Sequence, residues 1–347
     1  MKSFFFKILI SFGLITISCV DPFEVDIKNN LHTIMVEGEI TDEDRPQFVK
    51  IYSSNYNYQI VNKIPLADLQ VKVMVNGSES IKLFDDTKGT YFFPAEFKAK
   101  PEHTYQLIFE DKKGQKYQSS IEKLQASPAI DSVYDFFETD GTVAFEKPAH
   151  SNNIYIDFKD ADLDPNYFQW TWRLWEKQSI CLETFYYDVN CSEECYEIIY
   201  NKDLSILDDR FYNGKAVKGK LVGKIPYYQY FGALIEIKQK SLTENAYKFY
   251  RNLQNISQNT GTFADTPPQL IGGNVKNMTN GSEIVSGLFT VAGISTKKYW
   301  ISRINAQING KPIGLLGRKP YVLPNGLTAP CPPGKSKTPI MPDGWQN

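Results

Sequence analysis

The sequence predicts a mainly β protein: an N-terminal immunoglobulin-like β-sandwich over residues 29–125, then a larger β-rich domain with one packed α-helix over residues 126–347. Three features of the chain point there. Aromatic residues make up 14% of its 347 residues, with 22 Phe and 21 Tyr, and such side chains pack well on a pleated surface. Many short segments alternate apolar and polar residues, the period of a half-buried strand. Turn signals recur at roughly eight to twelve residues through the first part, the spacing of a sandwich.

The chain opens MKSFFFKILISFGLITISCVDPFEVD. Lys2 and Lys7 supply positive charge, and Phe4 to Ile17 is mostly apolar. The run is shorter than the ~20 apolar residues of a membrane span. It has the charged-then-apolar plan of an export signal, with small Ser18 at the cut. Cys19 then stands where a lipoprotein carries its lipidated cysteine, although Thr16 occupies a position where leucine is usual. Residues 1–18 are read as a lipoprotein signal peptide and 19–28 as an acidic tether. Asp21, Glu24 and Asp26 resemble the surface-export signal of Bacteroidota lipoproteins, which implies an outer-membrane, lipid-anchored, surface-facing protein. A solvated linker on a periplasm-facing lipoprotein is the alternative.

Strands follow in order. Thr33–Ile40 and Phe48–Ser53 alternate. Leu69–Val75 sets Leu69, Val71, Val73 and Val75 on one face, and Asn76-Gly77 is a hairpin turn because both residues tolerate positive φ. Ser80–Phe84, Gly89–Phe93, Thr104–Phe109 and Lys116–Ile121 continue the series, with Tyr105, Leu107 and Phe109 facing the core. Leu124–Pro128 is a short linker. Beyond it, Asp131–Glu138, Asn153–Phe158 and Asn166–Trp175 are expected strands. The last sets Phe168, Trp170, Trp172 and Leu174 on one face. Trp170, Trp172 and Trp175 are candidate ligand-binding aromatics, since exposed indoles stack on sugar faces; an ordinary sheet core is the competing and favoured assignment.

Four cysteines remain after Cys19: Cys181, Cys191, Cys195 and Cys331. An even number in an exported chain implies two disulfides with three possible connectivities. Cys181–Cys191 closing a local loop and Cys195–Cys331 tying back the tail is the favoured pairing. Zinc is the weaker alternative, because His32, His103 and His150 lie far from the cysteines in sequence. Further strands are expected at Glu197–Tyr200, Ala216–Val222 and Leu234–Lys238. Ser241-Leu242-Thr243-Glu244 reads as a capping box opening a helix over residues 242–258. Ala246, Phe249, Tyr250, Leu253 and Ile256 keep its period, and Gly261 can end it. Glu283–Ala292 and Lys298–Ile304 complete the strands, with Gly287 marking a bulge or close backbone approach. Pro320 to Asn347 is expected to be irregular.

Motif chemistry is sparse. There is no G-x-S-x-G elbow, P-loop or H-E-x-x-H, so no catalytic residue and no cofactor is assigned. Glu193-Glu194 and Asp208-Asp209 read as solvated loop charge. Asp160, Asp162 and Asp164 form a weak calcium candidate, lacking the glycine and final glutamate of an EF-hand; an Asp-rich turn is the plainer reading. Asp131-Ser132-Val133 resembles a short Bacteroidota O-glycosylation motif, making Ser132 a candidate acceptor. A formal net charge of −2 and no long basic run exclude nucleic acid as an expected partner.

Several stretches together are similar to a Bacteroidota outer-membrane lipoprotein family catalogued as a domain of unknown function (number four-two-four-nine). They are Cys19-Val20-Asp21-Pro22-Phe23, Val36 to Asp42, Pro128 to Ser132 and Asn166-Tyr167-Phe168. The most recognisable block runs through Ala246-Tyr247, Leu253, Gly261, Phe263, Pro267-Pro268, Gly273-Asn274 and Gly287-Leu288-Phe289. The resemblance implies a surface lipoprotein, often encoded beside TonB-dependent transporters, and brings no catalytic residues. The expected function is a non-enzymatic accessory subunit of a TonB-dependent transporter or other outer-membrane β-barrel complex. A glycan- or peptide-binding adhesion module is the alternative.

Overall fold

Alternating burial builds the strands. Val36 and Ile40 in the first strand are fully buried while Glu37 between them is exposed; Val71, Val73 and Val75 repeat the pattern against exposed Gln70 and Lys72. The structure, a computed structural model, describes residues 33–57, 60–162, 166–210, 213–257, 271–304, 310–324 and 326–346. The stretch expected to be an export signal and tether, with Cys19, Asp21, Glu24 and Asp26, lies outside the described residues, as do Asp164, Gly261, Phe263 and Pro267-Pro268.

The first part of the chain carries β1 (Thr33–Thr41), β2 (Phe48–Asn57), β3 (Ile60–Pro65), β4 (Gln70–Val75), β5 (Glu79–Lys82), β6 (Phe84–Asp85), β7 (Thr90–Phe92), β8 (Thr104–Glu110), β9 (Lys116–Ser119) and β10 (Glu122–Lys123). Next come β11 (Ile130–Ala144), β12 (Lys147–Lys159), β13 (Tyr167–Lys177), β14 (Ile180–Glu183), β15 (Asp188–Cys191), β16 (Tyr196–Tyr200), β17 (Ser205–Asp208), β18 (Ala216–Pro226) and β19 (Ala233–Leu242). Helix α1 (Glu244–Ser257) precedes β20 (Val275–Asn277), β21 (Val285–Ala292), β22 (Ile294–Ile301), β23 (Thr328–Ala329) and β24 (Lys337–Thr338). The protein is therefore mainly β, with one helix among the described residues.

Two six-stranded sheets share the first core. One runs β21-β1-β2-β7-β6 with β3 on β2; the other runs β20-β9-β8-β4-β5 with β10 on β8. Val36, Ile51 and Tyr91 from the first meet Val73, Leu107 and Phe109 from the second. The consecutive boundary at residue 125 is corrected here: β20 and β21 come from far along the chain yet close these two sheets. β21 pairs in parallel with β1, from Ile34↔Val285 to Thr41↔Ala292. Gly287 is essential to that pairing. Its φ is +87°, and a Cβ there would sit 2.1 Å from the Val36 carbonyl oxygen, a distance no side chain tolerates.

The second core lies between the three-stranded sheet β11-β12-β18 and the sheet β22-β19-β13-β16-β24, with β17 on β13. Ile154, Ile156 and Phe158 pack there against Phe168, Trp170, Ile235 and Ile237. The two halves are joined closely. β21 leads through Gly293 directly into β22, so neighbouring residues serve different cores. The Ser241 hydroxyl accepts from Gly293 N at 2.9 Å and donates to the Gln125 carbonyl of the linker. Lys238 and Lys240 reach Glu43 and Glu39 of the first half.

Ser241 is thus a strand residue, and the expected capping box is corrected. The helix begins at Glu244; Thr243 caps it, its Oγ1 accepting from Ala246 N at 3.3 Å. Propensity allowed either hydroxyl to cap, but pairing with β13 carries β19 on through Leu242. Helix residues Ala246, Tyr247, Phe249 and Tyr250 pack with Leu288 of β21 and Tyr167 of β13, spanning both halves. No helix among the described residues is long and apolar enough to cross a membrane.

Candidate ligand cleft

One row of side chains crosses one face of the second large sheet. Register places Trp300 opposite Leu234, Leu234 opposite Trp175, and Trp175 opposite Ile198. Four strands therefore give one apolar stripe on the face away from the Trp170 core. Trp345, from the C-terminal segment, covers it edge-on: its ring is 4.9 Å from both Trp300 and Tyr196, at 79° and 72°. Beside these indoles opens a cleft of about 780 Å³, bordered by Phe231, Gln229, Lys177, Glu193 and Glu194. That volume suits a small ligand. Gly232 admits Trp300, because a Cβ there would lie 2.2 Å from the indole.

Charge sits at the rim. Lys177 Nζ donates to Glu194 Oε1 at 2.6 Å, and Tyr196 donates to the other oxygen at 2.8 Å. The Lys177 hydrogen bond, then that of Tyr196, holds the Glu194 carboxyl below its ordinary range. Arg303 lies beneath the loop carrying Gln229 and Phe231. It grips both oxygens of buried Glu176 and donates to the Gln229 and Phe231 carbonyls at 3.3 and 2.9 Å. The loop is thereby fixed from below.

The structure pairs Cys181 with Cys191 and Cys195 with Cys331. Sulfurs of Cys181, Cys191 and Cys195 lie within 4.8 Å of one another; bonded as disulfides, they offer no thiolate to a metal. The first bridge pins the loop whose tip carries Phe185 and Tyr186, 94% and 79% exposed with rings 5.1 Å apart.

The tryptophans take the favoured sheet-core assignment, and the alternative of an exposed platform at Trp170, Trp172 and Trp175 is corrected. Trp170 is fully buried in the second core, its Nε1 donating to Gln239 Oε1 at 3.0 Å. Trp172 is half-buried against the same core, and Trp175 is buried under the Arg173 guanidinium, 4.6 Å from its ring. β13 has neighbours on both edges and packing on both faces, so it offers no open platform. Ser132 Oγ donates to Asp157 Oδ2 at 3.0 Å.

The Asp-rich loop divides. Asp160 is buried and accepts from Gly214 N at 3.1 Å, whereas Asp162 is exposed. Asp209, expected in solvent, is fully buried, while its neighbour Asp208 pairs with Arg210 at 2.6 Å. Burial pushes the Asp209 carboxyl up to about 6, and the Asp160 carboxyl adds to the rise. Sequence reasoning missed Trp300, Trp345, Phe231 and the Glu176–Arg303 pair. The alternation in KYWISRI was the one local signal for Trp300.

Fold and cleft together define a disulfide-bonded, mainly β protein with an aromatic-lined recess. The chain belongs to the family described as Domain of unknown function (DUF4249), whose model matches residues 20–298. Trp300, Cys331 and Trp345 fall beyond the matched span. No curated protein matches the sequence.

Proposed function

We propose that the protein is a non-enzymatic accessory subunit of an outer-membrane complex, lipid-anchored at Cys19 and facing the cell surface. A TonB-dependent transporter is the proposed type of partner. The observation that carries this reading is the Phe185–Tyr186 tip. Two large aromatic rings stand almost wholly in water on a loop held by Cys181–Cys191, and rigid exposed aromatics are what interface anchors look like. Residues 20–32 between Cys19 and β1 span at most roughly 45 Å when extended, which limits how far β1 can stand from a membrane that holds Cys19. A photo-crosslinking residue at position 185 should capture a β-barrel protein in intact cells. Crosslinks to lipid or solvent alone count against the reading.

A second reading, a glycan- or peptide-binding module, is favoured by the cleft. Trp300 supplies an apolar wall beside the charged rim of Lys177 and Glu194. Quenching of tryptophan emission by oligosaccharides or short peptides, lost in Trp300→Ala, tests it. An unchanged spectrum across both ligand classes removes it.

A further inference from the structure

Away from the cleft, two loops meet beside the end of the β12–β18 pairing. Asp160 ends the first strand's run, its N–H donating to the Lys215 carbonyl at 3.0 Å, and Asp209 follows β17 with its N–H donating to the Asn166 carbonyl at 3.1 Å. The Asp160, Asn166 and Asp209 side chains converge in the interior, each 5% exposed or less. Among the described residues, neither carboxylate oxygen of Asp209 has a hydrogen bond of good geometry, although the Asn166 N–H and side-chain amide face it. No ion pair among the described residues reaches Asp160 or Asp209; nearby Arg210 is committed to Asp208. Two buried carboxylates without a cation are costly.

The Asn166 amide faces Asp209 and makes two long contacts, 3.4 Å to Asp160 Oδ1 and 3.4 Å to the Ala161 carbonyl. Turning that amide over brings its oxygen to the same place, an assignment that hydrogen positions leave open. All donors are then hard oxygens: two carboxylates, one amide and one peptide carbonyl. No imidazole or thiolate takes part, which disfavours zinc and copper. Mg²⁺ gives up its water reluctantly, whereas Ca²⁺ accepts mixed carboxylate and carbonyl ligands in irregular loops.

We infer that Asp160, Asp209 and the Asn166 side chain, with the Ala161 carbonyl, bind one Ca²⁺ ion that joins the end of β12 and the start of β13 to the residues just after β17. The test is calorimetric titration of CaCl₂ into the full mature chain after chelator treatment. One equivalent should bind, with a dissociation constant on the order of 10⁻⁴–10⁻³ M, as in extracellular calcium modules. Asp160→Asn and Asp209→Asn should each weaken binding at least tenfold, and the exposed Asp162→Asn much less. Hydrogen exchange on the wild-type chain gives a readout that needs no variant: Ca²⁺ should slow exchange in both loops together. Absence of binding overturns the inference, as does binding that leaves both loops unprotected. If the two carboxylates simply share a proton, Asp209→Asn raises the melting temperature and Ca²⁺ changes neither protein.

Discussion

The Arg303 guanidinium lies against the Glu176 carboxylate in a two-point ion pair, Nη1 to Oε2 at 3.0 Å and Nη2 to Oε1 at 2.5 Å, with both side chains fully buried. Arg303 also holds a left-handed backbone, φ 57°, a conformation retained only where surroundings demand it. Removing one partner strands the other charge, so Arg303→Met or Glu176→Gln should cost about 3–5 kcal/mol. Urea unfolding checks this. The double variant Glu176→Leu/Arg303→Met should recover part of the loss, because no charge is left buried.

Sheet closure by β20 and β21 gives a second expectation. A fragment of residues 29–125 lacks the partners of β9 and β1 and leaves Val36, Ile40 and Phe109 without Val285 and Phe289. It should show no cooperative thermal transition, whereas residues 19–347 together should. A sharp transition in the fragment would mean that the ten local strands suffice.

Acid should loosen the C-terminal segment. Arg318 binds both oxygens of Asp188 at 2.7 Å, and Tyr321 N–H donates to one at 2.7 Å. The Arg318 hydrogen bonds, then that of Tyr321, hold the Asp188 carboxyl at about 2, against about 3.9 in an unfolded chain. A depressed folded value stabilises above the unfolded one and is lost as pH falls through the folded one. Melting temperature should therefore fall between pH 4 and 2, and Asp188→Asn should flatten that segment of the curve.

The two disulfides should differ in worth. Cys195–Cys331 closes 136 residues and Cys181–Cys191 closes 10. Loop entropy assigns roughly 5 kcal/mol to the first and roughly 3 kcal/mol to the second. Cys331→Ser paired with Cys195→Ser should also free the tail, exposing Trp345 and red-shifting its emission. Proteolysis should then cut after Lys335 or Lys337 before any other site.

Strand positions were legible because burial on one face leaves a two-residue period, as in LQVKVMV. The partner of a strand was not. Nothing near Gly287 says that β21 lies beside β1; only the glycine itself hinted at a close backbone, and that hint named no neighbour. Trp170 shows the same limit, since alternation looks alike whether the apolar face meets solvent ligand or a second sheet. Asp208-Asp209 reads as solvated charge, yet one carboxylate faces Arg210 and the next turns inward. Trp345 joins Trp300 through tertiary folding of the tail, which leaves no periodic mark.

The most direct measurement is quantitative co-purification from outer membranes in mild detergent, using the tagged full-length chain. A β-barrel partner should be recovered in fixed stoichiometry, and at least tenfold less of it with Phe185→Ser/Tyr186→Ser although the variant still reaches the membrane. Recovery of the wild-type chain alone, or equal recovery of the partner with both chains, would contradict it.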